Sequence, residues 1–175
     1  MEKKIFGDDN LKEHNIEAQQ IISEEKFIIL SIVSIGTYGI WWMYKAWRFY
    51  QQKEKLDIIP AARAIFSIFF LNSLFNKILD FAKEKGYNES YSSVSLFLGF
   101  IVANLLAVLP DPYWLISVFN FIFLIPSFKA LNFAKRNSTD FEVIEQESFN
   151  GRQIALIVIG LILWGLFLLA LTMDK

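Results

Sequence analysis

The chain offers few residues with which to do chemistry. Its 175 residues include a single His and no Cys. Thiolate nucleophiles, thiolate metal sites and disulfides are therefore excluded. His14 stands in a polar stretch with no second ligand or partner base in its surroundings, and imidazole catalysis or metal binding needs one or the other. H-E-x-x-H, G-x-S-x-G, phosphate-binding loops and dinucleotide fingerprints are all absent. One acidic group stands out, at Asp140, Glu142, Glu145 and Glu147. Its spacing is not that of a calcium loop and the central Gly is missing, so it reads as a solvated loop. No catalytic, cofactor-binding or metal-binding residue is expected, and the sequence does not predict an enzyme.

The polar residues that need an explanation are amides in apolar surroundings. Asn72, Asn104 and Asn120 fall one in each of three consecutive apolar segments. A lone amide is costly in hydrocarbon, and pairing across helices gives about 0.6 to 2 kcal/mol per bond. They read as glue between helices or, with Tyr38 and Ser67, as the lining of a small pathway. Gly36 and Gly39 flank Thr37-Tyr38 inside another apolar run. Each costs roughly 1 kcal/mol in a helix relative to Ala. Close approach of a neighbouring helix offsets that cost, and so does a break facing a cavity. Gly36, Gly39, Asn72, Asn104 and Asn120 are the candidate helix-packing residues. No charged proton relay lies within an apolar run, which weakens a transport reading.

These residues are carried by apolar blocks. The chain is 54% hydrophobic and those residues cluster, which is too apolar for an ordinary soluble domain. A net charge of −1 argues against nucleic acid as a partner. Phe27 to Tyr44 is uncharged and is closed by Trp41, Trp42, Lys45 and Arg48, the aromatic and basic edge that a membrane interface favours. It predicts a membrane anchor within a helix over 26–50. Residues 1–25 form a polar, acidic tail, either disordered or a short amphipathic helix around Leu11 to Ile22. Pro60 suits the first turn of a helix over 61–85, with Gly86 as its C-cap. That helix either spans, with Arg63 and Lys77 snorkelling, or lies in the interface. Pro110-Asp111-Pro112 separates two uncharged stretches and predicts an antiparallel hairpin of helices over 91–109 and 112–135, with a kink at Pro126. A polar stretch over 129–152 follows. Ile154 to Leu171 gives 18 uncharged residues, roughly 27 Å as helix, inside a helix over 151–172.

The expected fold is all-α: a polytopic membrane bundle over 26–175 with five apolar helices, of which four or five span. The turn at Pro110 has no Lys or Arg and belongs outside, which puts the C-terminus outside as well. Charge slightly favours four spans with an external tail, whereas the apolar start of the second helix favours five with the tail inside.

Ser34-Ile35-Gly36-Thr37-Tyr38-Gly39-Ile40-Trp41-Trp42-Met43-Tyr44-Lys45 resembles the signature of a bacterial family of small multi-pass membrane proteins carrying a domain of unknown function. Ile59 to Phe66 is similar to that family's second block, and Phe149 to Trp164, with Gly151, Gly160 and Trp164, to its terminal span. Ser34 stands where Thr is usual, which keeps the hydroxyl. The resemblance implies the bacterial inner membrane and carries over no catalytic or binding residue. The expected partners are the lipid bilayer and either the chain itself or another membrane protein. The expected function is non-enzymatic, through helix–helix contacts. A small oligomeric channel or transporter is the alternative, and a membrane enzyme acting on lipid ranks last.

Overall fold

In the computed structural model, which describes residues 16–173, the first apolar run is not one helix. Helix α1 (Glu24–Val33) is capped by Ser23, whose side chain accepts a hydrogen bond from the Lys26 N–H, and Glu24 and Glu25 complement the dipole of its first turn. The chain then leaves the helix, with Ile35 at φ 53° and Gly36 at φ 81°, and α2 (Thr37–Glu54) begins. Three hydroxyls favour the break by competing for backbone groups. Ser31 Oγ donates to the Phe27 carbonyl, Thr37 Oγ1 donates to the Ser34 carbonyl, and Ser34 Oγ accepts from the Tyr38 N–H. The result is a reversal. The rings of Phe27 and Trp42 lie 6.0 Å apart between centroids, although in a straight helix these residues would stand about 22 Å apart along the axis. The expected anchor over 26–50 is thus corrected to two helices folded back on each other.

Ile35 is a β-branched residue in the left-handed region, where its Cβ is strained. Ile35→Gly is therefore expected to stabilise the detergent-purified protein by about 1 kcal/mol, read as a higher melting temperature. A lower one would show that the reversal does not need this backbone conformation.

The helix expected over 61–85 is likewise divided, at Phe66, into α3 (Pro60–Ile65) and α4 (Ser67–Glu84). Pro60 occupies the first turn of α3, where its missing N–H costs nothing. The Arg63 guanidinium covers the Trp47 ring at 4.5 Å, and the Tyr50 hydroxyl donates to the Lys77 carbonyl at 2.9 Å. Leu71, Leu74, Phe75, Ile78, Phe81 and Ala82 form the buried face of α4.

Helix α5 (Ser93–Leu105) ends in a short 3₁₀ turn, and after Pro112 the chain returns as a 3₁₀ segment, Tyr113–Leu124, that continues into α6 (Ile125–Arg136). Pro126 stands in the first turn of α6. It therefore marks the junction of two helix types instead of kinking one α-helix. A 3₁₀ helix rises about 2.0 Å per residue, so these residues reach roughly a third further than they would as α-helix. Alongside, Gly99 of α5 opens a notch filled by the Phe123 ring.

Two short strands complete the described residues. Strand β1 (Gln19–Ile21) pairs in parallel with β2 (Val143–Glu145), in the register Gln19 to Val143 and Ile21 to Glu145. The end of the acidic tail is therefore a strand, neither helix nor disorder, because Ile21 and Ile22 are buried there. Residues 1–15, including His14 and most of the expected tail, lie outside the described residues.

Only 6% of the apolar window of helix α7 (Gly151–Met173) is buried. One seam holds it: Gly160 lies against the Val33 backbone, and the Trp164 indole N–H donates to the Ile32 carbonyl at 3.1 Å. The chain is thus mostly helical. Among the described residues two stretches are long and apolar enough to cross a membrane, Tyr113–Arg136 and Gly151–Met173. This is fewer than the five apolar helices expected, because the reversal and the break at Phe66 divide the first two and α5 with its 3₁₀ turn ends at Val108.

Candidate functional site

Where α1 and α2 fold back, a cavity of about 420 Å³ opens between α2, β1, the end of α6 and the start of α7. Its walls follow from helical spacing. Trp41, Trp42 and Lys45 project from one side of α2, and Phe128, Leu131, Asn132 and Lys135 from one side of α6. The floor is aromatic: Phe128 stacks on Phe27 at 4.4 Å and approaches Trp42 at 6.1 Å.

The start of α7 forms the third wall and is fixed by a reciprocal cap. The Gln153 N–H donates to Asn150 Oδ1 at 2.9 Å, and the Asn150 N–H donates to Gln153 Oε1 at 3.0 Å. Gln146 joins this cap through its side-chain amide, and its carbonyl accepts from Lys26 Nζ. Asn132 Nδ2 donates to the Ile22 carbonyl at 3.0 Å, which ties β1 to α6. Arg152, in the first turn of α7, completes the wall.

The electrostatics are one-sided. Lys45, Lys135 and Arg152 all line the cavity, and among the described residues its lining contains no carboxylate. Other cations are paired among the described residues: Arg48 with Glu17, Lys77 with Glu54, Lys85 with Asp140, Lys129 with Glu24 and Arg136 with Glu145. Lys135 has no such partner among the described residues and is only 6% exposed. Its ammonium lies 4.7 Å from the centre of the Phe49 ring. At the rim, the Arg48 side chain holds the Glu17 carboxyl below its ordinary range through a direct hydrogen bond.

The candidate packing residues are distributed over two places. Asn120 Nδ2 donates to Asn104 Oδ1 at 3.0 Å, and Asn104 Nδ2 donates to the Phe100 carbonyl at 2.8 Å, so these two amides meet between α5 and the 3₁₀ segment. Gly36 and Gly39 face that same segment. A Cβ on Gly36 would lie 3.5 Å from Asn120 Oδ1, and one on Gly39 would lie 2.9 Å from Leu124 Cδ1. Gly36 is also at the reversal, so close approach and helix break coincide there. Asn72 belongs to α4 and does not join them; its Oδ1 is buried without a partner among the described residues. In the acidic stretch, Asp140 and Glu145 form ion pairs, and no group of three metal-ligating side chains is present among the described residues.

Reading the sequence alone missed the cavity, because its cations are far apart in the chain. The available signal was the i, i+4 pairing of Trp41 with Lys45 and the helical continuity that carries Phe128 to Lys135. Compared with protein families, curated proteins and solved structures, the chain matches none.

Proposed function

We propose that the protein is a multi-pass integral membrane protein of the bacterial cytoplasmic membrane that acts without catalysing a reaction, through contacts of its helices with a second copy or with another membrane protein. The observation that carries this reading is the exposed apolar belt around α7. Leu161, Ile162, Leu166 and Leu169 all lie more than half exposed or close to it on a helix almost free of the rest of the chain. The belt continues on α5 with Val94, Leu98, Val102 and Leu105. It extends along the 3₁₀ segment, where Tyr113, Ile116, Phe119 and Ile122 form a straight ridge, since side chains three apart eclipse in that helix. Water does not tolerate so large a patch, whereas lipid or another helix covers it well.

In this arrangement the Tyr113–Arg136 stretch and α7 cross the bilayer, the shorter α5 with its 3₁₀ turn crosses beside them where the bilayer thins to match it, and the α1–α2 reversal dips in and returns. Loop charge supports the arrangement. The turn at Pro110 carries no Lys or Arg, and of the 17 basic residues only Lys175 follows α7, as the preference for basic residues on the cytoplasmic side requires. The Asn104–Asn120 pair favours contact over a pathway, because the two amides are bonded to each other and Asn104 to backbone, although Asn120 Oδ1 is buried without a partner among the described residues.

Reporter fusions test the topology. A fusion at Lys83 or near Asp9 is expected to be active only as a cytoplasmic reporter, and one at Lys175 only as an exported one. Export of the Asp9 fusion would make the first apolar run a true span and overturn the reversal. Purification in mild detergent tests the mode of action: a stoichiometric second copy or heterologous partner supports it, and a monomer overturns it.

A further inference from the structure

The cationic cavity has no counterpart in the contact function above. Three positive side chains from three separate helices line it: Lys45 and Arg152 are exposed, whereas Lys135 is buried, its ammonium over the Phe49 ring and without a carboxylate partner among the described residues. A charged ammonium out of water is unfavourable unless an anion or a set of acceptors meets it. Lys45 adds a second positive charge beside it, while Glu17, the carboxylate that Lys45 also acts on, is bound to Arg48. Among the described residues the lining is therefore cationic, and an added anion would relieve the repulsion between Lys45 and Lys135.

The shape narrows the anion. About 420 Å³ exceeds what a single inorganic ion needs and suits a small headgroup. Arg152 can clamp two oxygens of a phosphate with its planar fork, and the first turn of α7 adds its dipole on the same side. The remaining walls are apolar, with Trp41, Trp42 and Leu156 beside the charges. Apolar α7 begins at Ile154, two residues beyond Arg152, so the cations stand where the apolar belt starts.

We propose that this cavity binds a phosphate ester, the group common to anionic phospholipid headgroups and soluble phosphate metabolites, and that the occupant is an anionic phospholipid drawn from the surrounding leaflet. Lys45, Lys135 and Arg152 hold the phosphate, and the acyl chains leave past Trp41 along the belt. The choice of lipid rests on the membrane reading above; the choice of phosphate rests on the cations alone. Basic pockets at the cytoplasmic edge of membrane helices recognise lipid headgroups by these forces.

Native mass spectrometry of the full chain in mild detergent tests the proposal, with phosphatidylglycerol and phosphatidylcholine as lipid probes and glycerol 3-phosphate as the soluble one. The wild type is expected to retain one phosphatidylglycerol at least tenfold more tightly than phosphatidylcholine, undisturbed by millimolar glycerol 3-phosphate. Lys135→Met and the double variant Lys45→Gln/Arg152→Gln are each expected to lose about tenfold in that affinity, in line with a lost charge-assisted hydrogen bond. Lys135→Met removes the ammonium from over Phe49 but also removes the cost of burying its charge, so its melting temperature without lipid should stay close to that of the wild type, while the rise produced by phosphatidylglycerol disappears. A merely structural lysine would give the opposite pattern. Equal phosphatidylglycerol retention by wild type and both variants overturns the site. Binding of glycerol 3-phosphate with release of the lipid overturns the lipid occupant. Failure of the membrane reading is recognised separately, by the reporter fusions.

Discussion

Gly160→Leu is expected to separate α7 from α1 and to cost about 3 kcal/mol or more, the upper range for overpacking a tight contact. The reason is that the first added atom has nowhere to go. A Cβ at Gly160 would overlap the Val33 carbonyl oxygen and side chain, and backbone cannot move aside as a flexible side chain can. The neighbouring Trp164 would lose its hydrogen bond to Ile32 as the helices part. Gly165 provides the control, since nothing lies within 4 Å of a Cβ there. Gly165→Leu should leave stability unchanged or raise it by up to about 1 kcal/mol, the helix preference of Leu over Gly. Unfolding midpoints in mixed micelles would compare the two. Equal midpoints would mean that α7 does not dock through Gly160.

Phe27→Ala is expected to cost about 3 to 5 kcal/mol, the range for a fully buried aromatic ring. Phe27 is 0% exposed. It stacks on Phe128 and meets Tyr38 and Trp42 edge-on or tilted, so one ring joins α1, α2 and α6. Its removal opens the reversal and the floor of the cationic cavity together. Ile29→Ala on the same helix is the comparison, because Ile29 is largely exposed and should change stability little. If the two variants unfold alike, the aromatic cluster is not what closes the reversal.

The terminal helix was legible in the sequence, because an unbroken uncharged run leaves the backbone no partner but itself. The turn between Pro110 and Pro112 was legible for a similar reason: two rings without N–H groups end a helix on either side. The reversal at Ser34 to Gly36 was harder to read. Hydropathy averages over a window, and the window from Phe27 to Tyr44 is as apolar as a true span. What distinguishes it is local: Ser31, Ser34 and Thr37 recur every third residue up to and past Gly36, and each hydroxyl bonds backbone that a continuous helix would use. The amides Asn104 and Asn120 could be placed near each other from their distances to the turn. Asn72 could not, because the break at Phe66 rotates α4 away from any simple count. The cationic cavity depends on three chain segments meeting, and no single segment carries its signature.

The reversal also sets where α7 is gripped. Its tip touches α7 at Gly160 and Trp164, about 14 to 20 Å from the start of that helix and well short of its end. Beyond these contacts Trp114 of the 3₁₀ segment meets Phe167 at 5.2 Å. Force applied at the C-terminal end of α7 would therefore be borne first by the Trp114–Phe167 contact and only then by the Gly160 seam.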